Sequence, residues 1–196
     1  MAKIKSKKNG TKKETIIEVA AKLFHKKGFS ASSMRDLAEH VGVEAASLYN
    51  HIQSKSEILQ EICFNVANVF TANIEEVDSS GNKAIEKVEA LLRFHIKQMV
   101  NYYENVYVSD HEWKHLTEPY LSNYQNQRRI YRKRFASIIE EGIQKNEIKN
   151  LHAPTAVLIM LHAISGIESW HRSKKNLSAT LLEENMIMIL TEGLKN

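Results

Sequence analysis

The chain has 196 residues, 43% of them hydrophobic and 26% charged, with a net charge of +4. That length suits one compact unit or two small subdomains, and the apolar share excludes a globally disordered chain. Cys63 is the single cysteine, which excludes an intrachain disulfide and points to a reducing cytoplasm.

Residues 1–13 hold Lys3, Lys5, Lys7, Lys8, Lys12 and Lys13 and no acid, more cations than the +4 excess of the whole chain. The rest is therefore slightly acidic, and the positive charge sits in one N-terminal arm. Ile16, Ile17, Ala20, Leu23 and Phe24 recur at helical spacing and predict a helix over 11–27. Lys26 and Lys27 suit its negative end, and Gly28 stops it. Glu14 and Glu18 interrupt any apolar leader stretch.

Two short amphipathic segments follow. Met34, Leu37, Ala38 and Val41 form the stripe of the first, and Gly42 supplies the left-handed residue of a tight turn. Leu48 and Ile52 point the second segment inward, leaving Ala45, Ala46, Ser47, Tyr49 and Asn50 on or near its outer face. Small and hydrogen-bonding side chains in that position suit close approach to base edges and phosphates, as in a helix-turn-helix. An ordinary pair of core helices would show the same stripes; the basic arm beside them, placed to displace counterions, favours DNA.

Ser54-Lys55-Ser56-Glu57 reads as a capping box that starts a long helix to about 77, broken by AspSerSerGlyAsn at 78–82. Further helices are expected over 83–103, 110–116, from Pro119 to about 145, from Pro154 to about 171, and from 178 or 179 onward. With two prolines, seven glycines and little β-branched alternation, the fold class is all-α with about nine helices. The longest apolar run, 156–167, contains His162 and is too short to span a bilayer.

The last two helices are apolar over more than one narrow stripe: Val157, Leu158, Met160, Leu161, Ile164 and Ile167, then Leu181, Leu182, Met186, Met188 and Ile189. Such faces fit either a partner subunit or a fully buried pair within one chain. Between Phe94 and Tyr131 lie Tyr102, Tyr103, Tyr107, Trp113, Tyr120 and Tyr124, with Trp170 further on; these rings fit a ligand pocket or a filled core. Arg128, Arg129, Arg132 and Arg134 fit a solvated face or a phosphate-bearing ligand. His111-Glu112-Trp113-Lys114-His115 matches H-E-x-x-H, the zinc-protease signature, and defines the alternative reading of a helical metal-binding protein or metalloenzyme. No metzincin-type extension follows it, and no other catalytic arrangement stands out, so a non-enzyme without cofactor or metal is expected.

The order of the first 60 or so residues resembles the TetR/AcrR family of bacterial transcriptional regulators. The matching residues are Gly28-Phe29, Ser32-Ser33, Gly42-Val43, Leu48-Tyr49-Asn50-His51-Ile52, Ser54-Lys55 and Leu59. Ile52 replaces the usual phenylalanine, and Ala45 and Ala46 stand where a longer polar residue and a glycine are common. The resemblance implies a ligand-responsive repressor on a near-palindromic DNA operator. It also implies a helical body that binds a small molecule and pairs with a second copy through its last two helices.

The expected organisation is a basic arm (1–10), a helix-turn-helix domain (11–56) and an effector and dimerisation domain (57–196). Lys12, Lys13, His51 and Lys55 are expected to meet phosphates. Arg35, Ala45, Ala46, Tyr49 and Asn50, with Ser33 and Ser47 beside them, would form the reading surface. Phe94, Met99, Tyr103, Trp113, Tyr124, Arg128 and Trp170 are the candidate ligand residues, and Leu158, Leu161, Ile164, Leu182, Met186 and Ile189 the candidate dimer face. Residues 111–119 and 169–178 resemble segments of the branch of the family that responds to acyl-CoA thioesters, which implies such an effector. The expected setting is cytoplasmic, away from any membrane.

Overall fold

The computed structural model describes residues 12–173 and 177–195; the lysine arm and most of the turn before the last helix lie outside the described residues. Among the described residues the chain forms ten α-helices and one 3-10 turn. The helices are α1 (Lys12–Lys27), α2 (Met34–Val41), α3 (Ala45–Tyr49), α4 (Lys55–Asp78), α5 (Ala84–Asn101), α6 (Tyr103–His111), α7 (Tyr120–Gln144), α8 (Ala153–Ser165), α9 (Ile167–Arg172) and α10 (Ala179–Glu192). The 3-10 turn, Trp113–His115, lies between α6 and α7. The all-α expectation holds, and the helix starts other than those of α6 and α9 fall close to their signals.

Two compact units divide the chain. One comprises the residues up to Ala67 together with Glu104–Gln125; the other comprises Asn68–Tyr103 and Asn126–Asn196. In the first, the α1 stripe of Ile16, Ile17, Ala20, Leu23 and Phe24 is buried against Leu37 and Ala38 of α2 and Leu48 of α3. Ile58, Leu59, Ile62 and Cys63 of α4 and Val108, Leu116 and Tyr124 from the 104–125 segment complete that core. Met34 and Val41 are only half-buried at its margin.

Caps fix the short helices, which are too brief to stand on backbone hydrogen bonds alone. Ser33 caps α2: its Oγ accepts from the Asp36 amide at 3.1 Å, while an Asp36 carboxylate oxygen accepts from the Ser33 amide at 2.9 Å. Gly42 ends α2 at φ 80°, its N–H closing on the Ala38 and Glu39 carbonyls. A side chain there would be strained in the left-handed region. At the start of α4, Ser54 Oγ accepts from the Glu57 amide at 3.1 Å, as the capping box requires. The Glu57 carboxylate reaches one residue further back than expected, to the Gln53 amide at 2.8 Å.

In the second unit α5 is central and packs against α8, α9 and α10. Arg134 of α7 donates to Asp78 Oδ2 at 2.7 Å, and Gln127 donates to Asn68 and Thr71, so α7 follows α4 along its length. Lys87 is buried and donates to the Asp78 carbonyl at 2.8 Å, capping the C-terminus of α4. Three expected helices change shape. The helix expected over 83–103 stops at Asn101 because Tyr102 leaves the helical region at φ −127° and ψ 37°. The helix expected over 110–116 is instead the end of α6 followed by the 3-10 turn. That break deprives the Met99 carbonyl of its next-turn amide, and His171 Nε2 donates to it at 2.8 Å. The helix expected over 154–171 is divided at Gly166 into α8 and α9.

Candidate nucleic-acid interface

The outward face of α3 is built from its buried one. Leu48 and Ile52 are each 1% exposed, and the His51 and Ile52 amides close on the Leu48 carbonyl at 3.0 and 3.2 Å. The chain therefore turns at Asn50, and Ile52 returns to the core. Ala45, Ala46, Ser47, Tyr49, Asn50 and His51 are all exposed, Tyr49 by 53%. Arg35 on α2 and Lys12 at the start of α1 are exposed as well. The exposed face of α3 carries small methyl groups, a phenol and an amide; such a set can enter a groove and bond base edges or phosphate oxygens.

Three residues expected to contact DNA make bonds within the protein. The Lys13 ammonium bonds Glu61 at 2.7 Å and lies 3.6 Å from Glu57, tying α1 to α4; the Glu61 bond raises its pKa. Ser33 Oγ donates to Asp36 Oδ2 at 2.5 Å, in addition to its cap. The Ser33 hydroxyl, then Lys27, hold the Asp36 carboxyl down at about 2. Lys55 Nζ donates to the carbonyls of Phe29, Ser30 and Ser32 at 2.8, 3.3 and 2.8 Å.

The candidate ligand residues separate between the two units. Trp113 and Tyr124 belong to the first: Tyr124 is buried with its hydroxyl donating to the Ser109 carbonyl, and Trp113 packs 6.4 Å from its ring. They are part of the head core. In the second unit Phe94 meets Phe70 edge-on at 5.3 Å. Tyr103 stacks on His171 at 4.0 Å, and Trp170 donates to the Leu177 carbonyl, so Tyr103, His171 and Trp170 brace the end of α5 where Met99 is buried. Arg128 lies close enough to Arg132 to lower its pKa, after burial as the larger cause.

A polar pair that the sequence did not reveal sits in that unit. His95 Nε2 and the Tyr131 hydroxyl are 2.6 Å apart, with the Phe70 ring against both and Phe135 against Tyr131. Burial pushes His95 down to about 3 and the Tyr131 hydroxyl up, so both are neutral at ordinary pH.

On α8 and α10, Leu158, Ile159, Leu181, Met188 and Ile189 are exposed, Ile189 by 70%. Leu161, Leu182 and Met186 are half-buried. Ile164, expected on the dimer face, is 2% exposed and faces the interior of its own bundle, whereas Ile159 is 59% exposed.

The H-E-x-x-H histidines do not share a helical face, because α6 ends at His111. His111 Nδ1 bonds the Tyr107 carbonyl at 2.9 Å, whereas His115, in the 3-10 turn, stacks on Phe29 and pairs with Glu112 at 3.4 Å. Among the described residues no group of three His, Cys, Asp or Glu side chains converges, and no helix is long and apolar enough to cross a membrane.

Two helices hinged at a left-handed glycine, the second showing an exposed polar face on a buried footing, define a helix-turn-helix protein. Residues 16–62 match the family described as bacterial regulatory proteins, tetR family, and residues 81–194 match the tetracyclin repressor-like C-terminal domain. The chain belongs to the TetR family. It is 24% identical over 131 residues to the HTH-type transcriptional repressor KstR2 of Mycobacterium tuberculosis, a match covering 66% of each chain, so it spans just under two thirds of that relative. The solved structure of that ketosteroid regulator superimposes with a TM-score of 0.88 at 20% identity, covering 96% of this chain and 97% of the other. The negative regulator IcaR of the Staphylococcus aureus biofilm operon is 27% identical over 165 residues, 81% of this chain and 82% of its own. AibR, solved with isovaleryl coenzyme A and operator DNA, superimposes with a TM-score of 0.81 at 21% identity, covering 92% and 98%.

Proposed function

We propose that this protein is a cytoplasmic, homodimeric transcriptional repressor, not an enzyme, released from a near-palindromic DNA operator by an acyl-CoA or similar lipid-like effector. The observation that carries the reading is the exposed face of α3, with Tyr49 and Asn50 outward on the footing of Leu48 and Ile52. Arg35, Ala45, Ala46, Ser47 and His51 extend that face, and Lys12 with the preceding arm (1–10) would meet phosphates. DNA contact is assigned to residues 11–56, and effector binding and pairing to 57–196, with 104–125 folded into the first compact unit.

A dimer sets two recognition helices about one turn of DNA apart. The exposed apolar residues of α8 and α10, Leu158 and Ile189 among them, are the surface offered for pairing. An effector that binds one arrangement of the heads better than another shifts the population away from the operator spacing. Phe94, Met99, Tyr103, Arg128 and Trp170 are the effector-side candidates that remain in one unit. The coenzyme A thioester bound by AibR supports the ligand class.

Tyr49→Ala with Asn50→Ala tests the reading. Operator affinity, measured by fluorescence anisotropy, should fall at least tenfold while the melting temperature stays within a degree or two, since exposed substitutions change stability by only about 0.5 kcal/mol. Leu48→Ala is the opposing control, expected to cost roughly 2–5 kcal/mol of stability. Unchanged operator affinity in the double variant would refute the assignment.

A further inference from the structure

Lys55 is the first residue of α4, where a cation opposes the positive end of the helix dipole. Its ammonium carries three protons, and three carbonyls receive them: Phe29, Ser30 and Ser32, two of them at 2.8 Å. The same nitrogen sits 4.5 Å from the centroid of the Phe29 ring, which is itself buried and stacked on His115. These carbonyls belong to the turn that leaves α1 through the left-handed Gly28, at φ 81°, and enters α2 at the Ser33 cap. The Ser32 hydroxyl closes the turn from inside, donating to the Gly28 carbonyl at 2.7 Å. α2 in turn packs on both α1 and α3.

We propose that Lys55 is a positioning residue for DNA reading: it clamps the turn between α1 and α2, and so the seating of α2 and α3, and makes no phosphate contact. The proposal rests on the DNA-binding reading of α3. A phosphate contact would require the ammonium to abandon three acceptors it already holds. The geometry also explains why lysine occupies the site. A compact ammonium directs three protons to carbonyls converging on one point, whereas the flat guanidinium fork of arginine suits two parallel acceptors such as phosphate oxygens.

The test uses the full chain, a duplex selected by the wild-type protein from a random-sequence pool, and an unrelated duplex of equal length. Lys55→Met should weaken binding to the selected duplex at least tenfold, leave binding to the unrelated duplex unchanged, and leave the slope of log affinity against log salt unaltered. Lys55→Arg should fail to restore the selected affinity. Without DNA, both variants should show faster amide exchange at Ser32 and Ser33, with exchange in α5 unchanged. A phosphate role predicts the reverse: the salt slope falls by about 0.9, both duplexes weaken together, and arginine restores binding. Either that pattern or unaltered exchange in the turn would overturn the proposal. Should Lys55→Met fail to fold, Lys55→Arg carries the same comparison. A wild-type protein that selects no duplex would defeat the DNA-binding reading, whereas a selective wild type with arginine at full affinity defeats only the role of Lys55.

Discussion

Gly142, near the end of α7, sets two opposing effects against each other in the second unit. Replacing a helical glycine by alanine normally stabilises a helix by about 1 kcal/mol. Here an added Cβ would lie 2.6 Å from Ile148 Cδ1, 2.9 Å from Ile148 Cγ1 and 2.8 Å from Ala84 Cβ. Ile148 is 1% exposed, so its terminal methyl has little room to rotate away. The Ala84 methyl has no rotamer at all, and its backbone is held by the hydrogen bond its N–H donates to Glu147 Oε2 at 2.6 Å. Relief therefore requires α5 and α7 to separate. Overpacking of this kind costs about 1–3 kcal/mol, and contacts this short belong at the upper end. The net expectation for Gly142→Ala is a loss of roughly 1–2 kcal/mol, or a fall in melting temperature of about 2–8 °C for a chain of this size. Thermal unfolding with chemical denaturation as a cross-check measures it. Ala84→Gly in the same chain removes only the Ala84 contact and should recover part of the loss, giving a favourable coupling of about 0.5–1 kcal/mol in a double-mutant cycle. A Gly142→Ala protein as stable as wild type, or an additive cycle, would refute the packing argument.

Two further outcomes follow from the caps and the exposed face. Asp36 has its pKa lowered from 3.8 to about 2 in the folded state, first by the Ser33 hydroxyl, so its contribution is complete above pH 4 and disappears as pH falls towards 2. Ser33→Ala should therefore be less stable than wild type at pH 6, with the gap narrowing between pH 4 and 2; a gap independent of pH in denaturant titrations would contradict this. Ile189→Glu with Leu158→Glu should convert a dimer to a monomer in sedimentation while preserving the helical spectrum, and an unchanged sedimentation coefficient would remove α8 and α10 as the pairing surface.

The elements most legible in the sequence are those whose signals are local. Gly42 can serve only one purpose between two amphipathic segments, and Leu48 and Ile52, four apart, orient a helix of five residues without outside information. Ser33 and Asp36 likewise announce the start of α2, although the same proximity engages Ser33 away from DNA. A lysine beside a recognition helix looks the same in the sequence whether it faces a phosphate or, as the Lys55 ammonium does, backbone carbonyls. The break at Tyr102 was missed because nothing local marks it: no glycine or proline stands there, and the displaced Met99 carbonyl finds its partner in His171, 72 residues away. Ile164 and Leu158 are equally apolar, and a helix apolar on every side gives no periodicity from which to tell its inner face from its outer. Trp113 and Tyr124 lie between the two segments of the body in chain order, yet pack with the head, a consequence of tertiary folding that no window of residues contains.

That last feature bears on how such a protein can be rebuilt. Val108, Leu116 and Tyr124 are part of the head core, although they lie roughly forty to sixty residues beyond the end of its contribution from α4. A chimera that joins residues up to Ala67 to a foreign body at one junction would leave Leu59, Cys63 and their neighbours facing solvent where those side chains belong. Exchange of specificity in this chain therefore calls for two grafts made together, the N-terminal stretch and the 104–125 insert, or for changes confined to the exposed face of α3.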